Sequence, residues 1–243
     1  MKAIILAAGT ASRLRPLTSH TPKCLLKIGE RTLLERSIDA LVAAGVDQLC
    51  IVTGYLHEQI EQFVAERYPS LSTTFIHNAV YDSTNNIYSL WLARPFAEGS
   101  DVLLLDSDLL YDPAIARRVV EAPEPTVLTL IRHELGEEEM KVVVDAEGSI
   151  TDISKTCSPS EAVGESLGIE KMGAAYTRAL YSELAVMMEQ EHLENTFYEL
   201  AFKRLLSQGH TFRILDVTEL FSCELDTVED FENAKNLIPA ELY

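Results

Sequence analysis

A turn of small residues followed by cations begins six residues into the chain. Residues 6–12 read LAAGTAS and continue an apolar stretch, and Arg13, Arg15 and Lys23 follow within fourteen residues of Gly9. Small residues let backbone amides approach a ligand closely, and amides together with cations bind phosphate. The pattern predicts a phosphate-binding loop. The alternative is an ordinary strand-to-helix turn followed by a solvated basic loop.

The charge distribution favours the phosphate-binding interpretation. Residues 1–36 contain seven Lys and Arg against two Glu, a net charge of +5, whereas the whole chain carries −18 and the remainder therefore −23. Solvation gives no reason to gather cations in so acidic a chain, but a bound polyanion does. Nucleic acid is disfavoured as that anion because it requires a broad basic surface. We therefore expect a small phosphorylated ligand.

Carboxylates are placed where a metal ion could meet that phosphate. Asp106 and Asp108 end the apolar run 102–105. Ligands of open α/β sheets bind at the carboxyl ends of the strands, and Mg²⁺ takes one or two carboxylates plus phosphate oxygens. The alternative is that these acids cap the next turn. Late in the chain, Thr227 is predicted to be the N-cap of the final helix, with Asp230 three residues on.

These residues resemble the signature of the nucleotidyltransferases that make NDP-sugars and CDP-alcohols. The pattern LAAGxxxRLxPLTxxxPK is present over residues 6–23, and residues 222–227 (SCELDT) resemble a later family segment, W-x-E-I-D-T. The resemblance implies that Arg13 and Lys23 bind the phosphates and that Asp108 and Asp226 share Mg²⁺. Asp106 is then a substrate-contacting or supporting group. The nucleotide-binding loop that it implies comprises Leu6, Ala7, Ala8, Gly9 and Thr10.

One residue of the loop departs from the family pattern. Ala11 stands where many members have a second glycine. An alanine at this position requires either a negative φ or a modestly strained backbone. We expect nucleotide binding to survive the change.

A second segment resembles one branch of the family, the cytidylyltransferases that act on phosphocholine and related phospho-alcohols. Residues 85–90 read NNIYSL, and residues 53–59 (TGYLHEQ) are also close to this branch. Asn86 and Ser89 have amide and hydroxyl groups suited to a pyrimidine edge. The alternative is that Asn85 or Asn86 serves only as a helix N-cap.

The same resemblance implies an acceptor site. Lys155 would hold the acceptor phosphate and Glu165 a polar group of the acceptor, although a solvated loop is an open alternative. Tyr198 and Glu199 pair an aromatic ring with a carboxylate, which suits an ammonium head group. We expect the neighbouring Phe197 to face the core, so that Tyr198 and Glu199 project elsewhere.

The surrounding elements predict an α/β fold, a Rossmann-like mainly parallel sheet with helices on both faces. We expect a single nucleotidyltransferase domain over residues 1–243, with a small β extension over 133–172. Predicted elements include a helix over Asn86–Phe96, a hairpin of Lys141–Val144 and Ile150–Ile153, an irregular substrate loop over 156–171, a strand over Gly173–Tyr176, helices over 179–191 and 196–207, a strand over Phe212–Val217, and a helix over Thr227–Leu237.

Composition limits the class of protein further. The four cysteines form no CxxC pair, which disfavours a zinc site or a redox dithiol. The chain has no apolar run of membrane-spanning length and opens on a strand rather than a signal peptide. We therefore predict a cytoplasmic protein with reduced thiols and with neither a membrane nor a nucleic-acid partner.

The predicted function is Mg²⁺-dependent transfer of a nucleotidyl group, with CTP as the expected donor, to a small phosphorylated or phosphonylated alcohol or amine. Phosphocholine and 2-aminoethylphosphonate are the model acceptors. A sugar-1-phosphate nucleotidyltransferase using UTP, dTTP or GTP stays open, as does a non-catalytic nucleotide-binding regulatory domain. A dehydrogenase is disfavoured because no GxGxxG follows the first strand. The sequence leaves the oligomeric state open.

Overall fold

The structure, a computed structural model, describes residues 1–242. Tyr243, the last residue of the predicted domain, lies outside the described residues. The strands are β1 Lys2–Ala7, β2 Lys27–Ile28, β3 Arg31–Thr32, β4 Gln48–Thr53, β5 Ser72–His77, β6 Val102–Asp106, β7 Leu109–Tyr111, β8 Val127–Ile131, β9 Lys141–Val144, β10 Ile150–Ser154, β11 Ala162–Met172, β12 Arg213–Asp216 and β13 Ser222–Glu224. The α-helices are α1 Leu33–Ala43, α2 His57–Arg67, α3 Asn86–Leu92, α4 Arg94–Ala97, α5 Pro113–Glu121, α6 Ala174–Glu189, α7 Glu199–Ser207 and α8 Val228–Leu237. Short 3₁₀ helices cover Ser12–Leu14, Lys23–Leu25 and Ala240–Leu242.

The central sheet is mixed, with a parallel middle. Its strands run in the order β10-β9-β11-β6-β1-β4-β5, and β6, β1, β4 and β5 are parallel to one another. Strand β11 is antiparallel to β6, and β8 joins β11 to β12. Leu6 of β1 pairs with Val52 of β4 and Asp106 of β6, so the parallel strands end at one common edge. The predicted fold class is confirmed.

Apolar residues cover both faces of this sheet because side chains alternate along each strand. Ile4 and Leu6 face one buried cluster, which includes residues of α3, α6 and α7. Ala3 and Ile5 face the other, which includes residues of α1, α2 and α5. Helices on both faces leave only the strand ends accessible, so a ligand must bind at that edge.

The helix predicted over Asn86–Phe96 is interrupted. It divides into α3, which ends at Leu92, and α4, which begins at Arg94. Pro95 lies in the first turn of α4, where its missing amide hydrogen breaks no intrahelical bond.

The irregular loop predicted over 156–171 is wrong for most of its length, because Ala162–Met172 is the long strand β11. The charged residues Glu170 and Lys171 obscured the strand pattern in the sequence, although both are buried in the structure. Glu170 has a hydrogen-bond partner within β11, and the partners of Lys171 are far away in the sequence. The Lys171 ammonium donates to the carbonyls of Val120 and Ala122 at 3.2 and 2.7 Å. The strand predicted over Gly173–Tyr176 is also wrong, because Gly173 is the N-cap of helix α6.

Besides β11, five strands were not anticipated from the sequence: β2, β3, β7, β8 and β13. Strand β8 pairs with both β11 and β12. Strands β7 and β13 form a separate antiparallel pair in which Leu109 lies opposite Glu224. The β7–β13 pair joins the segment that directly follows β6 to the last part of the chain. Within residues 1–242, no helix combines the length and apolar character needed to span a membrane.

Gly54 provides a test of how tightly β4 fits the loop after β1. A Cβ added to Gly54 would lie 2.5 Å from the Ala8 carbonyl oxygen and 2.7 Å from Tyr81 Cβ. We expect Gly54→Ala to lower the free energy of unfolding by about 1–3 kcal/mol, measured by urea denaturation. Gly9→Ala is the matched control, because an added Cβ there would meet nothing within 4 Å. A Gly54→Ala variant as stable as Gly9→Ala would contradict this packing.

Candidate active site

A cleft of about 520 Å³ opens where the parallel strands end. Fourteen of the sixteen predicted site residues line it, whereas Thr10 and Tyr198 do not. The lining residues from that prediction are Leu6, Ala7, Ala8, Gly9, Arg13, Lys23, Asn86, Ser89, Asp106, Asp108, Lys155, Glu165, Glu199 and Asp226. The fold thus gathers residues that are spread over 220 positions of the sequence, from 6 to 226.

The carbonyl groups of the small-residue loop accept hydrogen bonds from donors outside the loop. The Tyr55 amide donates to the Ala8 carbonyl at 3.0 Å, and the Thr18 hydroxyl donates to the Ala11 carbonyl at 2.8 Å. Ala11 has a φ of 46°, in the left-handed region that favours glycine. The second of the two outcomes expected for this alanine, a modestly strained backbone, is therefore the one observed.

Lys23 joins the two carboxylates predicted to bind metal. Its ammonium lies 2.9 Å from Asp108 Oδ2 and 2.7 Å from Asp226 Oδ1. Arg13 lies 2.6 Å from the other oxygen of Asp226, Oδ2. Two cations and two carboxylates, which we call the charged centre, therefore meet at one point of the cleft.

The β7–β13 pair brings the two carboxylates together. Asp108 immediately precedes β7, Asp226 follows β13 by one residue, and the Leu225 amide donates to the Asp108 carbonyl at 3.2 Å. The start of α8 then fixes Asp226. Thr227 and Asp230 form a capping box, and the Asp230 carboxylate accepts from the Asp226 amide at 3.2 Å. Thr227 is thus the cap, as its position predicts, which leaves the Asp226 side chain for the cleft.

Electrostatics stabilise the charged forms of Lys23 and Asp226. Burial alone would lower the pKa of Lys23, but Asp108 and Asp226 together outweigh it and raise that pKa. Burial likewise acts to raise the pKa of Asp226, yet Lys23 and then Arg13 bring it below its ordinary value. The cluster is therefore a set of ion pairs rather than neutral hydrogen-bonding groups.

Glu224 is a cleft residue that sequence reasoning missed. It lies on β13, two residues before Asp226, and opens onto the cleft. Withdrawal from bulk water, followed by repulsion from Asp108, Glu165 and Asp226, raises its pKa to about 8. The sequence signal that could have identified Glu224 is its position in SCELDT, because successive side chains of a strand face opposite sides.

One end of the cleft is lined by neutral polar groups. Asn78 donates to the hydroxyls of Thr84 and Ser89 at 3.1 and 3.2 Å, and all three side chains line the cleft. Asn85 is the N-cap of α3, while the Asn86 side-chain oxygen accepts from the Tyr198 amide at 2.9 Å. The capping role thus belongs to Asn85. The side chains of Asn86 and Ser89 both line the cleft.

The cleft is also lined by residues predicted to bind the acceptor, namely Lys155, Glu165 and Glu199. The Lys155 ammonium lies 3.9 Å from Glu138 and 5.0 Å from the centre of the Phe197 ring. Glu165 is paired with His133 Nε2 at 2.7 Å. Burial acts to lower the pKa of His133, but its bond to Glu165 outweighs this and raises it.

The predicted directions of Phe197 and Tyr198 are exchanged. Phe197 is 42% exposed and lines the cleft, whereas Tyr198 is fully buried. The Tyr198 hydroxyl donates to Asp106 Oδ2 at 3.0 Å, and its ring packs on Phe202. Tyr198 thus supports Asp106 from behind, and Phe197 is the aromatic residue beside Glu199 in the cleft.

The charged centre has the donor set expected of a magnesium site. Within residues 1–242, no cluster of three or more His, Cys, Asp or Glu is arranged to hold a metal ion. Two carboxylates are enough for Mg²⁺ when phosphate oxygens and water supply the remaining ligands. Asp108 Oδ2 and Asp226 Oδ1 already converge on one cation, the Lys23 ammonium. These residues therefore fit a magnesium ion that arrives with a phosphorylated ligand.

Fold and site together define an α/β nucleotide-binding protein of the nucleotidyltransferase class, as predicted. The chain belongs to the family of the MobA-like NTP transferase domain, whose profile matches residues 3–201. This match includes the small-residue loop, Lys23, Asp108 and Glu199, and it ends before Asp226.

Two relatives match nearly the whole of this chain at low identity. The chain is 27% identical over 240 residues to a CMP-5'-(3-aminopropyl)phosphonate synthase from Streptomyces rubellomurinus, a match that covers 96% of this chain and 38% of that protein. It is 24% identical over 252 aligned positions to a CTP:phosphoglutamine cytidylyltransferase from Campylobacter jejuni, covering 96% and 98%. A CTP:phosphocholine cytidylyltransferase structure from Streptococcus pneumoniae superposes with a TM-score of 0.84 at 24% identity, covering 98% and 99%.

The charged centre predicts the effect of removing either cation. We expect Lys23→Ala and Arg13→Ala each to lower turnover at least about a hundredfold, because each loses a positioned charge worth about 3 kcal/mol to the transition state. Steady-state pyrophosphate release measures this. Arg15→Ala is the matched control, since Arg15 is an exposed residue of the same basic segment outside the cleft. Wild-type rates in both cleft variants would exclude the centre from the mechanism.

Proposed function

We propose that this chain transfers a cytidylyl group from CTP to a small phosphorylated or phosphonylated amino alcohol, such as phosphocholine or 2-aminoethylphosphonate, and releases pyrophosphate. The observation that carries the proposal is the contact of Lys23 with both Asp108 and Asp226, beside the small-residue loop. The choice of CTP is supported by the names of the two relatives and of the superposed structure, each of which contains CMP or CTP.

The reaction requires positioning and charge neutralisation rather than a covalent nucleophile. An oxygen of the acceptor phosphate or phosphonate attacks the α-phosphorus of CTP, and the bond to the bridging oxygen of pyrophosphate breaks. Amides of the small-residue loop, together with Arg13 and Lys23, hold the phosphate oxygens on which negative charge accumulates. Asn86 and Ser89 lie at the polar end of the cleft, where the cytosine edge would contact them.

Asp108 and Asp226 would hold the magnesium ion in this proposal. Bound Mg²⁺ neutralises phosphate charge and lowers the barrier to attack at phosphorus. The carboxylates themselves hold Lys23 in place and keep its ammonium charged. Lys23 therefore has two sets of anionic partners, the carboxylates in the free protein and the phosphates in the complex.

The acceptor would lie at the end of the cleft that contains Lys155, Phe197 and Glu199. Lys155 provides a cation for the acceptor phosphate, and Glu165 provides a polar group held by His133. Phe197 presents a ring face that already contacts an ammonium, that of Lys155. Glu199 lies two residues further along, and an aromatic face beside a carboxylate suits a cationic head group.

The carboxylates can be tested against the alternative that they only cap local structure. We expect Asp108→Asn and Asp226→Asn to lose magnesium-dependent turnover while their thermal unfolding stays close to wild type. Asp112→Ala is the contrasting variant, because Asp112 caps α5 through the Ala114 amide at 2.8 Å and does not line the cleft. It should lose about 1 kcal/mol of stability and keep its turnover. If activity in the Asn variants falls only as far as they unfold, the metal assignment is wrong.

The donor and acceptor can be identified in one assay. Purified protein with Mg²⁺ is incubated with CTP, UTP, GTP or dTTP and with phosphocholine, phosphoethanolamine, 2-aminoethylphosphonate or glucose-1-phosphate, and pyrophosphate release is measured. We expect turnover with CTP and at least one amino-alcohol acceptor. Turnover of UTP, GTP or dTTP with the sugar phosphate, and none with CTP, would contradict the proposal. Nucleotide binding without turnover of any pair would favour a regulatory domain.

A further inference from the structure

Two buried glutamates at or near the cleft wall have unused hydrogen-bonding capacity. Glu170 of β11 is fully buried, and Glu199, the first residue of α7, is 8% exposed. Atom Oε2 of each is buried and has no hydrogen-bond partner among residues 1–242. Buried carboxylate oxygens without donors are rare because their desolvation is not compensated. A ligand that brings hydrogen-bond donors would relieve this deficit.

The two glutamates influence each other electrostatically, and both are connected to the cleft. Glu199 lines the cleft, while Ser166, another lining residue, donates its hydroxyl to Glu170 Oε1 at 3.2 Å. Burial, followed by the proximity of Glu199, raises the pKa of Glu170 well above its usual range. Burial also raises the pKa of Glu199 to about 7, and the nearby Lys155 charge opposes this rise. Lys155 and Glu199 both line the cleft, so an acceptor bound there can contact both.

The aromatic content of this end is low. Of the lining residues within 1–242, only Tyr81 and Phe197 have aromatic rings, and the Tyr81 ring is 6.3 Å from that of Tyr55. Tyr198 is turned away from the cleft, as described above. A quaternary ammonium has no N–H group and is bound best by several aromatic faces around it. A single ring beside carboxylates with unused acceptors is better suited to an ammonium that carries hydrogens.

We propose that the acceptor's cationic group is an N–H-bearing ammonium, foremost a primary amine, and that Glu199 accepts its hydrogen bond while Glu170 supports Glu199 from behind. This rests on the proposed transfer from CTP to an amino-alcohol phosphate or phosphonate. Glu199 is a specificity-determining residue in this scheme. Glu170 is a positioning residue, buried near Glu199 and hydrogen-bonded to Ser166 of the cleft wall. The proposal thereby predicts a preference for aminoalkyl acceptors over trimethylammonium acceptors.

A methylation series of acceptors tests the proposal on the wild-type protein. Phosphoethanolamine, its N-methyl and N,N-dimethyl derivatives, and phosphocholine share one phosphate and differ in the number of N–H groups. With CTP and Mg²⁺, we expect kcat/KM for the acceptor to fall about tenfold to a hundredfold from the first to the last, with the KM for CTP unchanged. Equal or better use of phosphocholine would overturn the proposal and leave cytidylyl transfer intact. Failure of the whole series with CTP would contradict the proposed function and this inference with it.

Two conservative variants assign the preference to its residues. Glu199→Gln should raise the KM for phosphoethanolamine at least tenfold, leave that for CTP within twofold, and bring the ratio of kcat/KM for phosphoethanolamine and phosphocholine close to one. Glu170→Gln should reduce this ratio by less. The control is Glu147→Gln, on the exposed turn between β9 and β10. An unchanged ratio in a folded Glu199→Gln variant would overturn the assignment. If that variant fails to unfold cooperatively, the wild-type series still decides the question.

Discussion

The contact of the Lys23 ammonium with Asp108 and Asp226 is the interaction on which the site depends. The three residues come from the first, middle and last parts of the chain, and each is placed by a separate device: a 3₁₀ helix for Lys23, the start of β7 for Asp108, and a capping box for Asp226. Without the lysine, two carboxylates would face each other in a half-buried cleft and repel. Lys23 and Arg13 together balance the charges of these two carboxylates.

The cleft divides into ends with different chemistry because different parts of the sheet line them. The parallel strands contribute the small-residue loop, and the neighbouring α3 region contributes neutral polar groups. The antiparallel β11 and the start of α7 contribute carboxylates and Phe197. The charged centre lies where β6 ends, with β11 as its antiparallel neighbour. The charged centre is thus bordered by both the parallel and the antiparallel part of the sheet.

Local patterns made much of the fold and site predictable. The turn after β1, the alternation of strands with helices, and the capping box at Thr227 depend on residues close together in sequence. Strand β11 was not predictable in this way, because the pairing of its charged residues with distant carbonyls appears only in the folded chain. The exchanged directions of Phe197 and Tyr198 have a similar cause: at the first turn of α7, the angle at which the chain enters decides which side chain is buried.

Manganese(II) binding, measured by electron paramagnetic resonance, tests the role of the charged centre most directly. Because the Lys23 ammonium lies between Asp108 and Asp226, we expect weak Mn²⁺ binding to the protein alone. With CTP present and no acceptor, about one ion per chain should bind tightly, and an Asp108→Asn, Asp226→Asn double variant should lose this binding. One tightly bound ion per chain without CTP, or equal binding to wild type and the double variant with CTP, would contradict the account.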